Sequence, residues 1–301
     1  MNFEIELENR TKETESVVKA YLPEESGWAK TVIEAMNYSV NVGGKRLRPM
    51  LMAETYKLFG GKDKAVEPFM AAIEMIHTYS LVHDDLPAMD NDEYRRGKKT
   101  TWVVYGDAMA ILAGDGLLNY AFETALTSFE IPGSSVAAKA KALSILAKKA
   151  GIHGMIGGQT ADIEAEHLGG TVTQEHLLFI HEHKTAALIQ AAMMAGAVLA
   201  SASDAQVQMV EQAAYEIGIA FQIQDDILDV TSSLEALGKP VGSDERNQKT
   251  TYVTLKGIEE ASREQKELSA HAIELLAAFE KEGYHNAFLL ELIRSLITRD
   301  R

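Results

Sequence analysis

Two acidic segments carry the most evident chemistry: Asp84 and Asp85, followed after four residues by Asp90, and Asp225 and Asp226, followed by Asp229. Such clusters are often only a solvated surface. Here each closes a strongly apolar run, ending at His83 and at Ile223, so the carboxylates project from core elements, where they need cations. Gln222, Asp225, Asp226 and Asp229 recur at i, i+3, i+4 and i+7, which lines four oxygen-bearing side chains along one helical face. Asp84 shares a face with Ser80 and His77; Pro87 ends that helix and leaves Asp90 on a loop able to fold back toward Asp84. Carboxylates with no cysteine, and no histidine pair at ligand spacing, suit Mg²⁺ or a similar hard ion, which keeps waters and recruits substrate phosphates.

Basic groups lie in loop or helix-end settings: Lys45 and Arg48 after the Gly43-Gly44 pair, Arg95 and Arg96, Lys184 beside Thr185, and Lys239 after Gly238. Singly, each reads as surface charge. In the first set two glycines let backbone approach a ligand, while Lys45 offers a point charge and Arg48 a planar fork for phosphate. The spacing is not that of a P-loop. Two acidic metal sites beside separate basic sets suit two diphosphates, one held through metal and the other directly.

The elements that must position these groups read as helices. Apolar residues recur at helical spacing, as in Met70, Ile73, Met75, Ile76 and Leu81, and sustained period-two alternation is scarce. Gly, Pro, Ser and Asp cluster at 23–27, 60–63, 131–135, 168–173 and 201–204, outlining about ten helices, with N-cap signals at Thr173 and at Ser203-Asp204. The expected class is all-α, in one domain without a linker or repeat. Residues 186–200 read as a buried helix too short to span a bilayer. Residues 108–126 are apolar on nearly every face, which predicts burial all round or a homodimer interface. The polar stretch 231–249 reads as a lid beside the second acidic cluster.

Composition narrows the function classes. The 301 residues are 46% hydrophobic and 24% charged, enough for a large core, and the net charge of −15 disfavours nucleic acid. The absence of cysteine excludes disulfides, thiolate metal sites and cysteine nucleophiles, and suits a reducing compartment such as the cytoplasm. The first ten residues contain no basic leader followed by an apolar run, so no signal or transit peptide is expected.

From about Gly43 to Lys249 these motifs, in this order, resemble those of the trans-isoprenyl diphosphate synthase family, above all its bacterial farnesyl diphosphate synthases. The resemblance implies a single large helical bundle of the isoprenoid synthase type around a central substrate cavity, with 1–301 as one polyprenyl synthase domain. It implies several Mg²⁺ ions bridging an allylic diphosphate, ligated by Asp84, Asp90 and Asp225 and assisted by Asp85, Asp226, Asp229 and Asp244. Arg95, Lys184 and Lys239 would hold the same diphosphate; Thr185 and Gln222 would steady an allylic cation. Isopentenyl diphosphate would lie on Gly44, Lys45, Arg48, His77 and Arg96.

Within the family pattern Gln159 and Asp162 fall near the allylic substrate, although the Gly157-Gly158 pair before them also reads as a helix break. His77 and Gln222 each have a plain reading as a satisfied interior group. Tyr79, five residues or roughly 7.5 Å down the helix from Asp84, is either an ordinary core aromatic or, beside the small Ser80, the floor that stops elongation at C15. A geranylgeranyl diphosphate synthase (C20) is the near alternative. A class I terpene cyclase, which binds one diphosphate, has no use for the Lys45, Arg48, His77 and Arg96 set, and a non-catalytic partner subunit would have lost a motif. The implied partners are isopentenyl, dimethylallyl and geranyl diphosphates and a second copy of the chain, with no nucleic acid and no membrane insertion.

Overall fold

The computed structural model describes residues 2–167, 172–231 and 250–297. Fourteen α-helical segments dominate them: α1 (Phe3–Ala20), α2 (Lys30–Asn41), α3 (Leu47–Leu58), α4 (Glu67–Asp84), α5 (Thr101–Tyr105), α6 (Asp107–Thr127), α7 (Val136–Ala150), α8 (Met155–His167), α9 (Gln174–Ile180), α10 (Ala187–Leu199), α11 (Asp204–Thr231), α12 (Tyr252–Lys256), α13 (Ile258–Ala277) and α14 (Ala287–Ile297). The count exceeds the ten expected because short helical turns carry weak periodicity and because one long segment is interrupted. Between α9 and α10 the chain runs through a π-helical turn, His181–Ala186.

The bundle is built around its two most apolar helices. α10 is buried at every position, and α4 buries Phe69, Ile73, Met75 and Ile76 completely. Helices buried on all sides need neighbours on all sides: α4 packs against α1, α2, α3 and α6, and α10 against α3, α7 and α11. Pro68 opens α4, where its missing N–H is no loss, and Ser135, Thr173 and Ser203 accept backbone N–H groups at the starts of α7, α9 and α11. A second, smaller apolar cluster joins Leu177, Ile219, Ile223, Ile227, Tyr252 and Ala261.

α6 departs from the sequence expectation. Its inner face, Ala110, Ala113, Leu117 and Ala121, is fully buried, but Ile111, Leu112 and Leu126 are 45%, 49% and 49% exposed. Burial all round is therefore not achieved within this chain. No described helix is long and apolar enough to cross a membrane.

The only strands among the described residues are a two-residue hairpin, β1 (Tyr94–Arg95) and β2 (Lys98–Lys99). Its turn residues Arg96 and Gly97 have φ of 54° and 74°, the paired positive values that a tight hairpin requires. The Tyr38 hydroxyl donates to the Lys99 carbonyl at 2.7 Å and fixes the hairpin to α2.

Candidate active site

α4 ends at Asp84, three residues before Pro87. The chain then turns back, the Asp90 N–H donating to the Asp84 carbonyl at 2.9 Å, which holds the outer aspartate beside the helix end. Asp84 faces a cavity of about 310 Å³ whose wall also holds Arg48, His77, Tyr79, Ser80, Gln159, Lys184 and Thr185. Members of both expected substrate sets thus line one cavity.

Burial pushes the Asp84 carboxyl up to about 6; Lys184 works against the shift and Asp90 with it. Gln159 donates to Asp84 Oδ1, and Lys184 Nζ donates to Asp162 Oδ2 at 2.6 Å. The Gly157-Gly158 pair is not a helix break, since both residues lie inside α8. A β-carbon on Gly158 would overlap the Lys184 backbone nitrogen, and one on Gly218 would overlap Ala186, so these glycines let α8 and α11 close on the π-helical turn. That turn presents Lys184 and Thr185 side by side, and the Thr185 hydroxyl donates to Gln222 Oε1 at 2.9 Å. Through this bond α11, one turn before Asp225, is tied to the cavity wall.

The three aspartates of α11 are not equivalent. Asp225 and Asp229 are half-buried, whereas Asp226 is buried and accepts the Tyr252 N–H at the start of α12 at 2.6 Å. Asp85 is likewise buried, and Arg95 donates to its Oδ1 through Nε at 2.7 Å and Nη2 at 2.6 Å. Burial raises the Asp85 pKa while the Arg95 hydrogen bond pulls it back. In this arrangement one aspartate of each segment is buried, Asp85 against Arg95 and Asp226 against the Tyr252 N–H, while Asp84, Asp90, Asp225 and Asp229 are more accessible.

No three acid or histidine side chains among the described residues gather closely enough to hold a metal by themselves. The donor set still fits Mg²⁺: hard oxygens only, a half-buried Asp84 whose carboxylate form wants a nearby positive charge, and room beside it for phosphate oxygens to complete the shell.

The second basic set forms where two loops meet. Gly43, Gly44 and Arg46 have φ of 100°, 150° and 50°, so the chain doubles back before α3. Arg96 donates to the Gly43 carbonyl, and a β-carbon on Gly44 would overlap its guanidinium. Lys45 is exposed; Arg48 and His77 line the cavity. Burial draws the Arg48 guanidinium down to about 10, still charged at neutral pH. Burial, then Arg48 and Arg96, hold the His77 pKa well below its usual range, so its imidazole is neutral.

Tyr79 is 6% exposed, packs edge-on against His83 with ring centroids 5.8 Å apart, and lines the same cavity. Its hydroxyl is buried with no hydrogen-bond partner, and burial pushes its pKa up to about 12. Lys239, Asp244 and the stretch read as a lid lie outside the described residues, apart from Thr231, which is the last residue of α11. The sequence did not single out His83, Met155, Ile156, Ile163 or Leu188, which also line the wall. His83 could have been found by its place next to Asp84; the aliphatic residues carry no signal that separates a cavity wall from a core.

The family profile described as polyprenyl synthetase matches residues 29–289. A farnesyl diphosphate synthase of Geobacillus stearothermophilus is 45% identical over 294 residues, covering 95% of each chain. A geranylgeranyl diphosphate synthase of Cyanophora paradoxa is 43% identical over 253 residues, covering 84% of this chain and 83% of its own. Among solved structures, a geranyltransferase from Helicobacter pylori complexed with magnesium and isoprenyl diphosphate superposes with a TM-score of 0.83 at 31% identity, covering 99% of this chain and 97% of that one.

Proposed function

From a chain that belongs to the polyprenyl synthetase family, the trans-isoprenyl diphosphate synthases, and is therefore a prenyltransferase, we propose a farnesyl diphosphate synthase that condenses isopentenyl diphosphate with dimethylallyl and then geranyl diphosphate, head to tail, and stops at C15. The observation that carries the reading is one cavity lined by Asp84, Lys184 and Thr185 together with Arg48, His77 and Tyr79.

The residues divide the work. Asp84, Asp90 and Asp225 would hold Mg²⁺, assisted directly or through water by Asp85, Asp226, Asp229 and Asp244. Bound there, the metal supplies Lewis-acid neutralisation of the charge on a departing diphosphate. Arg95, Lys184 and Lys239 take up oxygens of that leaving group, and fixed positive charges need no reorganisation as negative charge develops. The lone pairs of the Thr185 hydroxyl and Gln222 amide oxygen steady the allylic cation, whose lifetime depends on the apolar walls of Met155, Ile156 and Leu188 excluding water. Gly44, Lys45, Arg48, His77 and Arg96 align isopentenyl diphosphate so that its double bond attacks the cation, and the released diphosphate accepts the proton that is lost.

Tyr79 favours C15, its ring filling the space a fourth isoprene unit would need, with Ser80 leaving the pocket open only beside it. A C20 product is the second reading, favoured by the close similarity to a geranylgeranyl diphosphate synthase. The exposed Ile111, Leu112 and Leu126 of α6 form the apolar strip on which two copies would pair. The proposed enzyme is one polyprenyl synthase domain, 1–301, acting in the cytoplasm. The test is incubation with isopentenyl diphosphate and each allylic starter, with and without Mg²⁺, followed by chromatography of the dephosphorylated products. Failure to condense in the presence of magnesium would refute the reading.

A further inference from the structure

Arg46 sits between two residues assigned to substrate, yet it faces neither the cavity nor solvent. It is 2% exposed, an unusual state for arginine. Its backbone is left-handed at φ 50°, a conformation that is disfavoured for a residue with a side chain, and its own side chain makes no capping bond to α3. Something else must hold this strained residue in place. Nη1 donates to Glu74 Oε1 at 2.7 Å, Nη2 donates to the Val40 carbonyl at 2.7 Å, and Glu15 lies 3.7 Å from Nη2.

Glu74 is itself 2% exposed and lies on α4 three residues before His77, so the two share a helical face. The bond from Arg46 therefore spans from the turn bearing Lys45 and Arg48 to the helix bearing His77. The same carboxylate also acts on the two other guanidiniums of the set. Burial disfavours charge on both Arg48 and Arg96, and in each case Glu74 is the group that acts most strongly against it. A buried ion pair adds little net stability compared with apolar residues of the same volume, so stability alone does not account for this one.

We infer that Arg46 and Glu74 are positioning residues for isopentenyl diphosphate: their buried pair locks the Gly43–Arg48 turn onto α4 and keeps the guanidinium cluster assembled before the anion arrives. The inference rests on the two-diphosphate reading proposed above. Neither residue touches substrate; each acts by fixing where Lys45, Arg48 and His77 stand.

The test compares wild type, Glu74→Gln and the double variant Arg46→Met/Glu74→Leu, which removes both charges of the pair together. For each, KM is measured separately for isopentenyl and geranyl diphosphate, alongside the melting temperature. A positioning role predicts that KM for isopentenyl diphosphate rises about tenfold or more, as misplacement by about an ångström does. KM for geranyl diphosphate should stay within about twofold of wild type, including in a double variant that melts near wild type. A folded double variant with wild-type KM for isopentenyl diphosphate, or parallel increases in both KM values, overturns the inference. Wild type that fails to condense the two substrates overturns the functional reading itself.

Discussion

Replacing Tyr79 by alanine tests the product-length argument and its energetics together. Truncating a buried aromatic to alanine costs about 3–5 kcal/mol through lost burial and the cavity left behind. Part of that is offset, because the Tyr79 hydroxyl is buried without a partner and its removal relieves roughly 1–3 kcal/mol of desolvation. The net loss of about 2 kcal/mol lowers the melting temperature by a few degrees and leaves the protein folded. Against this, the vacated space admits a fourth isoprene unit, whose five carbons gain roughly 4 kcal/mol on burial, a bias of about 10²- to 10³-fold toward continued elongation. Incubation with geranyl and isopentenyl diphosphates, followed by chromatography of the dephosphorylated alcohols, should show C20 and longer chains in place of C15. Tyr79→Phe is the control: it keeps the ring and removes the unsatisfied hydroxyl, so it should retain C15 and melt at or above the wild-type temperature. Unchanged C15 from the alanine variant, or elongation by the phenylalanine variant, would show that ring volume is not the stop.

Chelation should abolish turnover and added Mg²⁺ restore it, and Asp84→Asn or Asp225→Asn should each lower kcat about a hundredfold or more; full activity in EDTA would contradict the metal assignment. His181 is buried with Nδ1 unpartnered, and burial lowers its pKa to about 4. Because the unfolded histidine takes up a proton that the folded one refuses, it removes stability as pH falls below about 6.5 toward 4. His181→Phe should flatten the slope of unfolding free energy in that window by about 1.4 kcal/mol per pH unit, measured by urea titration, and an unaltered slope would show that the residue does not titrate this way. Leu112→Glu with Leu126→Glu should convert a dimer to monomers in sedimentation; a monomeric wild type would remove the basis for a pairing strip on α6.

Much of this site was legible because helical spacing is rigid. The recurrence of Gln222, Asp225, Asp226 and Asp229 fixed one face of α11, and Pro87 required the turn that brings Asp90 back to Asp84. What spacing could not tell is which aspartate of each acidic segment is buried, since Asp85 is engaged by Arg95 and Asp226 by Tyr252, partners 10 and 26 residues away. Two glycines in α8 read as a break because glycine disfavours helices locally, but close approach of the Lys184 backbone decides the matter. The Arg46–Glu74 bond joins residues 28 apart and left no periodic trace. Exposure on α6 escaped because a helix apolar on all sides looks the same whether its outer face meets its own fold or another molecule.

The π-helical turn also bears on how this chain can change over generations. A π turn holds one residue more than the α-helical path it replaces, and one residue of α-helix is a rotation of about 100°. Deleting a residue from 181–186 would regularise the hydrogen bonding, but either α10 would turn its wholly buried surface out of register or Lys184 and Thr185 would swing away from Asp162 and Gln222. Point substitutions can be sampled one at a time at this turn; a single-codon deletion cannot be absorbed without giving up either the packing or the site.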